Sequence, residues 1–279
     1  MITKLIGIAD IHIPNVPNKI NDLKKICQSF FRQAKKIVKD AGGPENVRIV
    51  VAGDIFETKL EISNECLLTG YWFFRELEKI CPTIIIAGNH DLNMLNLTKI
   101  DSITPLFEMA DFNQVRYLDK EFGYKSGYVK DDNIVWCLYS TFSGFEKPEF
   151  LADKEANKGK GYKYIGLIHG DINGATTAQN RVTENSLSVN LFDGTDFVIA
   201  GHIHRQQIIE GNNTNIVYCS SLKQKDFGET VSGHGFVLYD VETGDFKFVE
   251  TPNKENGFYK YSITDLSDID NDKEILLNK

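Results

Sequence analysis

Three observations predict an α/β fold with a buried, partly parallel sheet. Short runs rich in β-branched residues, "KLIGIAD", "VRIVVAGD" and "CPTIIIAGNHD", recur through the first half of the chain. Longer stretches with apolar residues at helical spacing separate them, so each pair of runs is joined by a helical crossover. The polar residues that break the apolar runs gather at their carboxyl ends, where open α/β sheets keep their ligand crevice. With 279 residues, 42% hydrophobic and 25% charged, the chain fits one large domain or one and a half ordinary ones. That length buries a core without help from disulfides.

The first run, "KLIGIAD", is followed by "KKICQSFFRQAKKIVK", Lys24 to Lys39, in which Ile26, Phe30, Ala34 and Ile37 share one helical face. This predicts an amphipathic helix with a solvated basic face, the alternative being a face that tracks phosphates. After "VRIVVAGD", the stretch "ISNECLLTGYWFFRELEKI" predicts a helix with Ser63 as its N-cap. "CPTIIIAGNHD" is a third strand, and "KIDSITPLFEMAD" a shorter helix. The second half reads differently. "FGYKSGYVKDDNIVWCLYST" predicts two strands turning at Asp131–Asn133, and "FEKPEFLADKEANKGKG" a short helix fraying into a basic loop. "YKYIGLIHGD" and "DFVIAGHIH" are strands, and "QQIIEGNNTNIVYCSS" and "GFVLYDVETGDFKFVE" are hairpins turning at "GNN" and "ETG". "FYKYSIT" is a last strand candidate before the acidic "DLSDIDNDKE".

Composition excludes some classes. The five cysteines, Cys27, Cys66, Cys81, Cys137 and Cys219, form no CxxC pair and sit largely among apolar neighbours, so buried reduced thiols are expected. The N-terminus lacks a signal-peptide core and no apolar run approaches a membrane span, so a cytoplasmic protein with no membrane partner is expected. A net charge of −8 argues against nonspecific coating of nucleic acid but not against a nuclease, because bound divalent ions add positive charge where phosphates approach.

Five strand candidates end in metal-capable residues: Asp10 and His12, Asp54, Asn89 with His90 and Asp91, His169, and His202 with His204. Only His234 of the six histidines lies outside these segments. Ala9, Gly53, Gly88 and Gly201 precede the ligands and let the backbone come close to an ion or phosphate. Mixed Asp, Asn and His donors suit Mn, Fe or Zn. One catalytic ion takes about three protein ligands. The seven candidates Asp10, His12, Asp54, Asn89, His169, His202 and His204 are too many for one open site and enough for two ions sharing a carboxylate. Two ions roughly 4 Å apart clamp an in-line attack on phosphorus. On an extended segment His202 and His204 point to the same side, about 7 Å apart at the backbone. That separation suits one ion each, with Ile203 turned into packing. His90 is then spare and suited to protonate or stabilise the leaving oxygen. Asp91 either orients His90 or caps the next turn.

The set "DIH … GD … GNHD … H … GHIH", from Ile8 to His204, resembles the calcineurin-like metallophosphoesterase superfamily. The resemblance implies a four-layer αββα sandwich of two mixed β-sheets. It also implies one ion on Asp10, His12, Asp54 and His204 and a second on Asp54, Asn89, His169 and His202, with Asp54 bridging and His90 catalytic. "GDIFETKLEISNE", "GNHDLNMLNLTKIDSITPLFE" and "VYCSSLKQKDFGETVSGHGFVLYDVETGDFKFVE" resemble stretches of the SbcD-type (Mre-type) DNA nucleases, especially phage and viral members. That likeness implies a nuclease domain over residues 1–250. It makes 251–279 an extension in which "FYKYSITDLSDID" resembles the entry to a DNA-capping domain.

The expected function is therefore a two-metal DNA nuclease, most simply with Mn²⁺ and with Fe²⁺ or Zn²⁺ as alternatives. It would act near DNA ends beside an SMC-like ABC ATPase of the SbcC type. A small-molecule or cyclic-nucleotide phosphodiesterase on the same scaffold is the competing reading. A scaffold that has lost its chemistry would show substituted ligands, and none is missing. Leu67, Leu68 and Trp72 with Leu106, Phe107 and Met109 could form an apolar homodimer interface or simply face the core.

Overall fold

A computed structural model describes residues 1–58, 61–96, 98–252 and 257–258. Strands β1 (Lys4–Ile8), β2 (Val47–Ala52), β3 (Thr83–Ile86) and β4 (Val115–Tyr117) pair in parallel, in that order. A second mixed sheet holds β5 (Gly127–Asp131), β6 (Ile134–Tyr139), β7 (Lys163–His169), β8 (Phe197–Gly201), β9 (Gln207–Glu210) and β10 (Asn215–Tyr218), in the order β5-β6-β7-β8-β10-β9. Its four middle strands, β6, β7, β8 and β10, are parallel and its two edges antiparallel. The hairpin β11 (Gly235–Asp240) and β12 (Phe246–Glu250) then returns to complete the first sheet beside β1.

The layers follow from which strand faces are apolar. Strands β2 and β6 are buried at every position, as expected for strands covered on both sides. Helices α1 (Pro17–Asp40), α2 (Asn64–Glu78) and α3 (Thr104–Met109) cover the outer face of the first sheet, packing Phe30, Phe73, Phe74 and Leu106 against Ile6, Ile49 and Ile85. The two sheets meet face to face through Val50, Ile84 and Ile86 on one side and Trp136, Leu138, Leu167 and Ile199 on the other. The outer face of the second sheet is covered more thinly. The single-turn helix α4 (Leu118–Glu121) follows β4 on the first sheet, which leaves the six-residue helix α5 (Leu151–Ala156), the 3₁₀ turn Val189–Phe192 and loops to bury Tyr139, Ile168 and Val198 under Phe150 and Phe192.

The strands and helices predicted up to Glu250 are present, and Ser63 caps α2 by accepting the Cys66 N–H at 3.2 Å. Strand β4 and helix α4 were not predicted, because three and four residues are too few to display a period. All five cysteines are free and buried. Four of the six apolar residues considered for a dimer face the core instead: Leu106 is buried, and Leu67, Trp72 and Phe107 pack against the helix-covered core. Leu68 and Met109 stand out, 66% and 77% exposed. The strand candidate "FYKYSIT" lies, apart from Phe258, outside the described residues.

Candidate metal centre

The carboxyl ends of β1, β2 and β3 and those of β7 and β8 open onto one rim between the sheets. Asp10 and Asp54 each stand two residues past a parallel strand, with the Asp10 N–H donated to the Gly53 carbonyl at 3.1 Å and the His12 N–H to the Asp54 carbonyl at 3.0 Å. His169 ends β7 directly opposite Gly201, the end of β8. Asp10, His12, Asp54 and His202 have φ of 54°, 46°, 52° and 95°. Such left-handed backbone is strained for residues with a Cβ and collects at functional sites. The strand therefore ends at Gly201, and the extended geometry expected for "GHIH" does not hold. Ile203 is buried, and the two histidines diverge because His202 turns the chain.

Two glycines are required by contact. A Cβ on Gly88 would lie 2.2 Å from Asp54 Oδ1, and one on Gly201 would lie 2.1 Å from the Ala52 carbonyl oxygen.

The side chains form two groups of potential ion ligands, Asp10–His12–His204 and Asp54–His169–His202. In the first, His12 Nε2 lies 3.0 Å from His204 Nε2, and His204 Nε2 lies 3.5 Å from Asp10 Oδ1. In the second, His169 Nε2 is 3.2 Å from Asp54 Oδ1, and Asn89 Oδ1 lies 3.2 Å from His169 Nε2 and 2.8 Å from His202 Nδ1. Asp54 touches both: its Oδ1 faces His169, while its Oδ2 lies 3.7 Å from His12 Nε2. A third grouping, His12–Asp54–His90, draws two of its members from the other two and adds no independent site.

The remaining atoms of these residues are tied from outside. His169 Nδ1 bonds the Ala52 carbonyl at 2.8 Å, and His90 Nδ1 the Glu57 carbonyl at 2.7 Å. Asp91 is fully buried, and its carboxylate accepts the N–H groups of Ile55, Phe56 and Gly88 at 2.9–3.1 Å. It takes neither of its two considered roles: His90 Nδ1 meets the Glu57 carbonyl, and the Asp91 carboxylate holds the loop after β2 and the backbone of Gly88 instead of capping the turn that follows it. Sequence reasoning assigned no role to Glu229, whose Oε1 is 2.6 Å from His204 Nδ1, or to Asp171, whose Oδ2 is 3.4 Å from His202 Nε2. It also passed over Lys225, whose Nζ is 3.4 Å from His12 Nε2. Lys225 and Glu229 both lie in "KQKDFGE", part of the third stretch that resembles SbcD-type nucleases.

A family profile described as calcineurin-like phosphoesterase matches residues 3–206. The chain belongs to that family. An uncharacterised protein of Acanthamoeba polyphaga mimivirus is 31% identical over 266 residues, which is 92% of this chain and 19% of that relative. The chain thus spans 19% of the length of this relative. An archaeal phosphodiesterase is similar at 13% identity and a TM-score of 0.41, covering 88% of this chain and 97% of that one. GAP50, the anchor in the inner membrane complex of Plasmodium, is similar at 12% identity and a TM-score of 0.48, covering 90% and 89%. No helix among the described residues is long and apolar enough to cross a membrane.

Calcineurin-like phosphoesterases work with divalent metals, and the donors here fit such ions. Two nearly inaccessible carboxylates, Asp10 and Asp54, share a small space with imidazole nitrogens whose lone pairs converge. Burial opposes charge on both carboxyls. Even so, His204 and then His169 hold Asp10 below its usual range, and His169 with His12 and His90 do the same for Asp54. The imidazoles answer in kind. Against the cost of burial, Asp54 and Asp10 raise His169 to about 9, and Asp10 with Glu229 raises His204 to about 10. His12, where burial dominates, falls to about 3. Metal-free, the centre balances its buried carboxylates with protons on His169 and His204, a positive charge that cations would replace.

Proposed function

We propose that this chain is a two-metal phosphodiesterase that cuts DNA near its ends, the nuclease partner of an SMC-like ATPase of the SbcC type. The observation that carries the metal chemistry is Asp54, whose two oxygens face two different ligand groups. Asp10, His12, Asp54 and His204 would hold one ion and Asp54, Asn89, His169 and His202 the other. Mn²⁺ is the first choice, with Fe²⁺ or Zn²⁺ as alternatives. Bound there, two ions supply an activated water and neutralise charge on the phosphoryl oxygens.

The chain's own residues do the rest. His90 lines the same cleft of about 280 Å³ as His12 and Asp54. With the Nδ1 N–H donated to the Glu57 carbonyl, the neutral ring presents a lone pair at Nε2, and it is as the imidazolium, protonated at Nε2, that His90 would give a proton to the leaving oxygen. Lys225 lines that cleft and brings an ammonium group to the phosphate. Asp91 touches no reacting atom and acts by fixing the loops that carry Asp54 and Asn89. DNA as substrate is supported by the three stretches that resemble SbcD-type nucleases, as are the ATPase partner and a homodimer. The exposed Leu68 and Met109 offer apolar surface to such a dimer.

The test is digestion of end-labelled linear duplex and single-stranded DNA with Mn²⁺, Mg²⁺ or Zn²⁺, with His90→Asn as control. Ladders that depend on metal and on His90 are expected. Intact DNA alongside hydrolysis of a cyclic nucleotide or a small diester would overturn the DNA reading in favour of a small-molecule phosphodiesterase.

A further inference from the structure

The two histidines of "GHIH" turn opposite nitrogens toward the centre, and each outward nitrogen meets a carboxylate. His204 directs Nε2 at Asp10 and His12 and Nδ1 at Glu229, 2.6 Å away. His202 directs Nδ1 at Asn89 and Nε2 at Asp171, 3.4 Å away. We propose that Glu229 and Asp171 are positioning residues: each accepts the N–H of the outward nitrogen and so presents the inward lone pair to an ion. This rests on the reading of the centre as a metal site. A neutral imidazole carries one N–H and one lone pair, so fixing the first outside fixes the second inside. A carboxylate partner also raises the basicity of the ligating nitrogen.

The two partners are built differently. The Glu229 side chain is 6% exposed, and its second oxygen accepts the Lys225 N–H at 2.8 Å, so both oxygens are fixed. The loop that carries it is pinned from below. Gln224 Nε2 donates to the Glu229 carbonyl at 2.7 Å, and the buried His234 bridges Ser221 Oγ at 3.0 Å and the Thr230 carbonyl at 2.7 Å. This gives the sixth histidine a role in the loop and none in the centre. Asp171, two residues past His169, is 46% exposed in its side chain and holds His202 more loosely. Glu229 lies beyond the stretch that the family profile matches, residues 3–206.

Zinc titration calorimetry on wild type, Glu229→Gln and Asp171→Asn, with ¹⁵N-histidine spectra of the zinc-loaded wild type, tests the assignment. Glu229→Gln should weaken one of two zinc equivalents by about 10–100-fold, the usual loss for such an outer partner. Asp171→Asn should weaken the other equivalent, by less. The spectra should place the proton of His204 on Nδ1 and that of His202 on Nε2. A Glu229→Gln variant with two equivalents of wild-type affinity overturns the proposal, even if its melting temperature falls. A proton on Nε2 of His204 overturns it as well, and that measurement needs no variant to fold. Wild-type protein that binds no zinc overturns the metal-centre reading itself.

Discussion

The Nε2 atoms of His12 and His204 approach to 3.0 Å, and a proton or a cation must mediate so close a pair of nitrogens. In the metal-free chain His204, raised to about 10, supplies that proton, and His169, raised to about 9, carries one in the second group. Cations must therefore displace protons from both rings, and affinity must rise with pH across the neutral range. Calorimetry in buffers of different ionisation enthalpy should show proton release at pH 7 and weaker binding at pH 6 than at pH 8; pH-independent binding would contradict this. His90→Asn should cut turnover by about 10²–10⁴-fold while metal stoichiometry stays unchanged, since a positioned acid contributes that much. Asp91 serves stability. Asp91→Ala strands three buried N–H groups, each worth about 1–3 kcal/mol when unsatisfied. Urea unfolding should show a loss of at least that size for a single group.

At the scale of elements, five strands deliver the centre because parallel neighbours end at the same rim, and glycine is needed where the two sheets nearly touch. Gly201→Ala would push its Cβ against the Ala52 carbonyl, the acceptor of His169. Overpacking of this kind costs about 1–3 kcal/mol, and the variant should lose metal affinity along with thermal stability. Asp119, buried at the start of α4, accepts the Ala87 N–H at 2.8 Å and a bond from Ser140 Oγ, and so secures the turn into "GNHD". Burial pushes its carboxyl up to about 6. The folded state then keeps a proton that the unfolded chain releases above its usual 3.8, so this contribution to stability is present at low pH and lost as pH rises through about 6. Asp119→Asn should abolish that component: its stability relative to wild type should rise between pH 4 and 6.

Element order was legible because β-branched runs and helical periods are strong signals, and the metal-capable residues were legible because they cluster at strand ends. The backbone at those ends was not legible. Nothing in "DIH" or "GHIH" announces left-handed φ at Asp10, His12 and His202, where the N–H groups of Asp10 and His12 are held by the Gly53 and Asp54 carbonyls and that of His202 by the Asp10 carboxylate across the two sheets. Glu229 and Asp171 were equally hidden, because an outer carboxylate has no spacing rule relative to the histidine it serves.

At the scale of the molecule, two sheets packed face to face place candidate ligands from residues 10 to 204 around one carboxylate, Asp54. The sandwich is lopsided, with three helices on the first sheet and mostly loops on the second, so the rim over the centre is edged by the loops that carry Asp171, Thr177 and Glu229. The proposed homodimer, for which Leu68 and Met109 are the two of the six considered residues left exposed, predicts concentration-dependent sedimentation between monomer and dimer at micromolar protein, abolished by Leu68→Glu with Met109→Glu; a monomer at every concentration would remove it. The central claim is that one carboxylate serves two ions. Metal titration of wild type, His202→Ala, His204→Ala and Asp54→Asn tests it most directly. Two equivalents should bind wild type, one should be lost in each histidine variant, and both should weaken together in Asp54→Asn; a single equivalent in wild type, or an Asp54→Asn variant that loses only one, would contradict it.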